Sequence, residues 1–243
     1  MKLTAPIYRL KRNAKMLARQ NGIPLVKALD RIAAEKVFAG WSLLAARYAA
    51  ASPAAKIYGR LDPGDLMLIA ARPGQGKTML ALELAAQAAK AGRQSAFFTL
   101  EYTEQDVCDR LGQLGLDYDA LRSQLTLNCS EAICADYIIA TMQAAPQGTL
   151  IAVDYLQLLD QRRDLPPLSD QLESLRAFAS GQSVTIVCLA QVQRAFDAAE
   201  KSLPDLSDLR LPNPLDLALF NKACFMHNGV VAFQNARSLA PAP

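Results

Sequence analysis

Histidine is almost absent: His227 is the only one among 243 residues. That excludes a metal site built from several imidazoles and leaves His227 best read as a turn residue ahead of Asn228-Gly229. Cysteine is scarce and follows no pairing pattern. Cys108, Cys129, Cys134, Cys188 and Cys224 are scattered and odd in number, which argues against a disulfide framework or a zinc site and for reduced thiols. Although 51% of the residues are hydrophobic, no uninterrupted apolar run reaches the roughly 18 residues that a bilayer-spanning helix needs. The opening residues MKLTAPIYRLKRNAK lack the apolar stretch and cleavage site of a secretory signal, so a cytoplasmic location without membrane association is expected. Neither an internal repeat nor a low-complexity tract is present. The one tryptophan, Trp41, lies near Leu43 and Leu44 and is expected to pack in a small core rather than stack on a base.

The formal net charge of +3 conceals an uneven distribution. Residues 1–60 hold 12 Lys and Arg against Asp30 and Glu35 alone, whereas residues 61–243 hold 14 basic against 21 acidic residues. A boundary near residue 60 follows, with a basic module ahead of an acidic one. In the basic module Ile7, Leu10, Ala14, Leu17 and Ala18 recur at helical spacing before Gly22 and Pro24, and Leu25, Ala28, Leu29, Ile32 and Ala33 repeat the pattern. A third helix is expected from near Ser42 to Ala50. The organisation predicted is a small all-helical domain over 1–50, a linker over 51–60 and one larger unit over 61–243.

From Leu61 the rhythm becomes strand, helix, strand, the pattern of a parallel-dominated α/β sheet covered by helices. Strands are expected at Leu66–Ala71, Ser95–Leu100, Leu125–Asn128, Leu150–Tyr155 and Val184–Ala190, with apolar runs suited to burial on both faces. Helices are expected at Lys77–Ala91, Glu104–Leu114, Glu131–Ala144 and Ser169–Ala179. Leu217–Phe220 and Val230–Phe233 read as two closing strands, the second following a tight turn at Asn228-Gly229.

Between the first strand and the first helix of this unit stands Ala71-Arg72-Pro73-Gly74-Gln75-Gly76-Lys77-Thr78. A glycine-containing loop there, ending in Lys-Thr ahead of a helix, presents backbone N–H groups and a helix N-terminus to phosphates. Lys77 would add a point charge and Thr78 a hydroxyl ligand for Mg2+; ATP and Mg2+ are the cofactors this implies. The general pattern has Gly where this chain has Ala71, so an incidental glycine turn is the bland alternative. Asp154 ends the run Leu-Ile-Ala-Val-Asp, where a carboxylate can hold magnesium or simply cap a turn. Residue 155 is Tyr, so no glutamate follows it. Glu101, ending a neighbouring strand, can orient or deprotonate water or can be a solvated strand-end carboxylate.

Together these segments resemble the DnaB-type, hexameric RecA-like replicative helicases. That family has Ala at the position of Ala71, a Ser-Leu-Glu segment similar to Thr99-Leu100-Glu101, and a strand ending Asp-Tyr-Leu-Gln-Leu, as at 154–158. Leu189-Ala190-Gln191 followed by Arg194, and Ser207-Asp208-Leu209-Arg210, are similar to two further family segments. The resemblance implies a RecA-like P-loop ATPase core acting on single-stranded DNA as a ring, a hexamer in the family. It implies Glu101 as catalytic base and Gln191 as the sensor of the γ-phosphate. Arg237 would be a finger completing a neighbouring subunit's site, or else a solvated tail residue.

Departures accompany the match. Asn235 stands where the family has Lys, no Gly-Pro turn follows, and 60 residues are too few for the family's larger amino-terminal domain. Arg9, Lys11, Arg12 and Lys15 crowd one short helix, whose partner is a nucleic-acid backbone, a protein or anionic surface, or only solvent. Arg162 and Arg163 fall where such motors place DNA-facing loops. The rival reading is a regulatory or adaptor protein that kept the nucleotide-binding core without unwinding activity.

Overall fold

The computed structural model describes residues 7–45, 52–160, 165–198, 201–211, 213 and 215–235. Its strands are β1 (Leu66–Ala71), β2 (Ser95–Thr99), β3 (Leu125–Asn128), β4 (Leu150–Asp154), β5 (Thr185–Gln191), β6 (Lys222–His227) and β7 (Val230–Asn235). They form one sheet in the order β3-β2-β4-β5-β1-β6-β7, parallel throughout except for the antiparallel β6–β7 hairpin. The helices are α1 (Ile7–Asn21), α2 (Leu25–Glu35), α3 (Pro53–Tyr58), α4 (Lys77–Lys90), α5 (Glu104–Leu114), α6 (Tyr118–Leu121), α7 (Ala135–Met142) and α8 (Leu168–Gln182).

Strand periodicity explains the layering. Leu66, Leu68 and Ala70 of β1 join Ala96, Phe98, Ile151, Val153, Ile186 and Cys188 in one core with Ile138 of α7 and Leu172 and Leu175 of α8. The alternate residues, Met67, Ile69 and Ala71, join Phe97, Ala152, Val187 and Leu189 in a second core with Ile57 of α3, Leu84 of α4 and Leu111 of α5. The middles of the central strands are therefore apolar on both faces, as a covered sheet requires, while Ser95, Thr99, Asp154, Thr185 and Gln191 stand at strand ends. Alanines on α4, among them Ala81, Ala85 and Ala88, are fully buried and let this helix lie close to the sheet. Burial pushes the thiols of Cys188 and Cys224 up to about 12, and all five cysteines are free.

The described part of the basic module holds α1 and α2. α1 and α2 pack through Leu10, Ala14, Ala28, Ile32 and Ala33 with Leu44, and Trp41 packs against this cluster. A short helical stretch covers 41–45; the rest of the expected third helix lies outside the described residues. α3 occupies part of the segment read as a linker. The Ser52 hydroxyl accepts from the Ala54 N–H at 3.2 Å and donates to Glu83 of α4 at 2.8 Å, while Ala54 and Ile57 are buried. A cap, a proline in the first turn and two apolar contacts suffice for one helical turn and a half.

The expected strand at Leu217–Phe220 is instead a 3-10 turn over Leu217–Leu219, which Asp216 caps by accepting from the Ala218 N–H at 2.9 Å. The strand is β6, whose first residue, Lys222, hides it from a hydropathy reading. The ammonium group is buried among Asp62 at 2.8 Å, Asp65 and the Arg60 carbonyl. Asn221 beside it donates to Asp65 and accepts from the Leu66 N–H at 2.9 Å, clamping β6 to the start of β1. The Asn228-Gly229 turn has φ of +47° and +78°, the left-handed pair that a two-residue hairpin favours. Because Lys222→Met leaves the buried Asp65 carboxylate without its counter-charge, while Asp62 stays open to water, it should lower unfolding free energy by about 1–3 kcal/mol in urea titrations. A loss below about 1 kcal/mol would mean that this network does not hold β6 in place.

Candidate nucleotide site

β1 lies between β5 and β6, and the chain leaves its end through Arg72-Pro73-Gly74-Gln75-Gly76 into α4. Gly74 and Gly76 have φ of +78° and +90°, a region that a Cβ penalises. No atom lies within 4 Å of where a Cβ would stand at either, so backbone conformation, not crowding, demands glycine, and space is open beside the loop. No side chain caps α4; its first N–H groups are free to meet an anion.

Lys77 and Thr78 begin α4 and are only 7% and 8% exposed. The Lys77 ammonium lies 5.8 Å from the centre of the Tyr155 ring. Thr78 Oγ1 donates to Asp154 Oδ2 at 2.8 Å, joining the loop's helix to the end of β4 across β5. Asp154 Oδ1 is buried without a hydrogen-bond partner among the described residues, and a buried acceptor left so costs about 1–3 kcal/mol. Burial pushes the Asp154 carboxyl up to about 6; the Thr78 hydrogen bond and the Lys77 charge oppose that rise, and the Glu101 charge adds to it. A hydroxyl, an orphaned carboxylate oxygen and a lysine beside an open loop fit a hydrated divalent cation bound with a polyphosphate, and Thr78 and Asp154 are the residues that can hold the ion.

The carboxyl ends of β2, β4, β5 and β1 bring the other candidates into one row. Thr99 pairs with Asp154 and Ala71 with Gln191. Glu101, exposed, lies two residues beyond β2, and its N–H donates to Thr99 Oγ1 at 3.1 Å. Gln191 ends β5, and its N–H meets Gln157 Oε1 at 3.4 Å while Gln157 Nε2 donates to the Arg210 carbonyl at 2.8 Å. A cavity of about 720 Å³ is lined by Arg72, Pro73, Gln191, Gln193, Arg194 and Arg210.

Other candidates sit elsewhere. The Arg72 guanidinium binds Asp197 and the Val192 carbonyl, contacts between positions far apart in the chain. Arg9, Lys11, Arg12 and Lys15 belong to α1. Arg12 and Lys15 are exposed, and Lys11 Nζ donates to the Gly115 carbonyl at 3.5 Å. Burial, with the charges of Lys15 and Lys90, lowers the Lys11 pKa. Arg162, Arg163 and Arg237 lie outside the described residues. Sequence reading passed over Arg110, whose guanidinium sits 3.7 Å over the Tyr102 ring next to Glu101. Nothing in the spacing of the two residues singled it out. His227 is not in the turn but ends β6, its ring edge-on to Phe196 at 5.0 Å.

The family model described as DnaB-like helicase C terminal domain matches residues 55–123 and 120–213. This chain belongs to that family. The DnaB family match covers the loop, both candidate carboxylates, Gln191 and Arg210, and the family is one of helicase-type motors and NTPases. The replicative DNA helicase DnaB of Mycoplasma genitalium is 29% identical over 197 residues, covering 65% of this chain and 42% of the relative. A probable plasmid replicative DNA helicase of Chlamydia trachomatis is 29% identical over 180 residues, covering 62% of this chain and 40% of the relative. The chain thus spans about two-fifths of the length of the curated relatives it matches.

Among solved structures, a DnaB-like replicative helicase studied with primase superposes with a TM-score of 0.57 at 20% identity, over 67% of this chain and 47% of the other. The ATPase domain of G40P gives 0.56 at 21%, over 68% and 69%. These likenesses show a RecA-like fold. Among the described residues, no helix is long and apolar enough to cross a membrane.

Asp154 carries a stability consequence. Its folded pKa of about 6 stands above the ordinary 3.8. The neutral carboxyl is favoured on folding, and its contribution, full below pH 3.8, is lost as pH rises through 6, a cost of about 3 kcal/mol at neutral pH. Asp154→Asn should therefore be more stable than wild type at pH 8, by up to about 3 kcal/mol, with the gain fading toward pH 4. Urea unfolding at the two pH values measures this, and a gain independent of pH would contradict the burial argument.

Proposed function

We propose that this chain binds Mg-ATP at the Arg72–Thr78 loop and couples its hydrolysis to single-stranded DNA, assembled as a ring. The observation that carries the reading is the unpartnered, buried Asp154 Oδ1 beside the Thr78 hydroxyl. It is a pair suited to a magnesium shell and unsuited to an empty apolar core. Bound magnesium would neutralise charge on the β- and γ-phosphates. Lys77 and the loop N–H groups from Pro73 to Thr78, proline excepted, hold the phosphates. Glu101 takes a proton from, or orients, the attacking water. Gln191 senses the γ-phosphate, and Arg237 serves the neighbouring copy. Such a site works by positioning and charge stabilisation, which is why its parts come from four strand ends.

The basic face of α1, with Arg9, Lys11, Arg12 and Lys15, is the proposed nucleic-acid contact of the head, joined by Arg162 and Arg163 of the core. A protein partner of the head is compatible with the same charge. One feature favours a second reading, a nucleotide-binding regulator without unwinding activity: Asn235 ends β7 where DnaB-type helicases have lysine.

ATP turnover with and without single-stranded DNA separates the two. A motor predicts stimulation that rises with assembly, disappears in Lys77→Ala and falls about 10²- to 10⁴-fold in Glu101→Gln with nucleotide binding retained. Nucleotide binding with no stimulated turnover would leave the regulator. Unchanged turnover in Glu101→Gln would remove that residue from the mechanism.

A further inference from the structure

Arg72 opens the phosphate loop, yet its guanidinium is occupied by the segment that follows β5. Nε lies 3.0 Å from both carboxylate oxygens of Asp197, a second nitrogen lies 2.9 Å from Oδ2, and the third donates to the Val192 carbonyl at 3.1 Å. The Val192 N–H in turn donates to the Ala71 carbonyl at 3.0 Å, extending the β1–β5 ladder by one rung. Phe196, 2% exposed, packs edge-on against His227. The Asn228 N–H donates to Gln75 Oε1 at 2.7 Å. Residues 192–198, the hairpin turn and both flanks of the phosphate loop are therefore linked in a closed circuit: Arg72 to Asp197, Phe196 to His227, and Asn228 to Gln75.

The circuit does more than brace the loop. The Asp197 side chain is 53% exposed, and ion pairs so open to water add little to stability. What a forked guanidinium–carboxylate contact does supply is direction, because both partners are fixed in one plane. Asp197 follows Gln191 by six residues and, through the fork, holds Arg72, which lines the cavity together with Gln191, Gln193 and Arg194. A shift of the loop on filling with phosphate has to carry Asp197 along or break the fork.

We propose that Asp197 is a positioning residue that grips Arg72, so that residues 192–198 follow the phosphate loop and register whether nucleotide is bound. The inference rests on the reading that the loop binds ATP. The signal it carries runs beside, and independently of, any γ-phosphate contact by Gln191. Coupling of this kind requires two states, loop filled and loop empty, that differ in the contacts of the coupled segment.

Hydrogen exchange with and without a magnesium complex of a slowly hydrolysed ATP analogue tests it, on wild type, Asp197→Ala, Asp197→Asn and Asp197→Glu. In wild type, nucleotide should slow exchange at the start of α4 and, by about fivefold or more, across 192–198. In Asp197→Ala and Asp197→Asn the response at α4 should persist while that at 192–198 is lost; Asp197→Glu, which keeps the charge, should recover it. A response at 192–198 that survives both neutral variants overturns the relay, as does a wild type in which α4 responds and 192–198 does not. If both neutral variants fail to fold, Asp197 holds the structure rather than transmits, and the relay is again wrong. If fluorescence titration shows no nucleotide binding to wild type at all, the reading beneath the inference has failed, and the relay with it.

Discussion

A single hydrogen bond, from the Thr78 hydroxyl to the Asp154 carboxylate, is the constraint around which the crevice is arranged. It spans from the helix after β1 to the end of β4, with β5 between them. For the two groups to meet, β1, β4 and β5 must lie in register, and β5 must end beside them in Gln191. The buried carboxylate disfavours the folded state at neutral pH. Two apolar cores, one on each face of the sheet, hold the strand ends together despite that cost.

Much of this was legible in the chain because the constraints are local. Gly74 and Gly76 mark positive φ, and an apolar run ending in Asp marks a strand that delivers a carboxylate to the sheet's edge. The strands β1 to β5 and the helix from Lys77 follow from apolar runs and a period of 3.6 within single segments. Asn228-Gly229 announces its hairpin because few other dipeptides tolerate two left-handed residues in succession.

What stayed hidden depends on partners distant in sequence. Lys222 reads as a solvated charge until Asp62 and Asp65 are brought beside it, so β6 was misplaced onto Leu217–Phe220. The helix Pro53–Tyr58 looks like a linker because its burial depends on α4. The fate of the Arg72 guanidinium depends on Asp197, more than a hundred residues away. The motif leaves the Arg72 side chain without a role, whereas the tertiary structure pairs it with Asp197 and the Val192 carbonyl. The Arg110–Tyr102 stack beside Glu101 was hidden for the same reason.

The DnaB-family core thus gathers Lys77, Glu101, Asp154 and Gln191 at one end of its sheet, with an ion pair joining the loop to the segment beyond Gln191. The central claim is that Thr78 and Asp154 seat magnesium. Affinity for a fluorescent ATP analogue, titrated with and without Mg2+, tests it most directly. Magnesium should strengthen binding to wild type by about tenfold or more, and that gain should largely vanish in Thr78→Ala and in Asp154→Asn. Variants that keep the full magnesium gain would contradict the account.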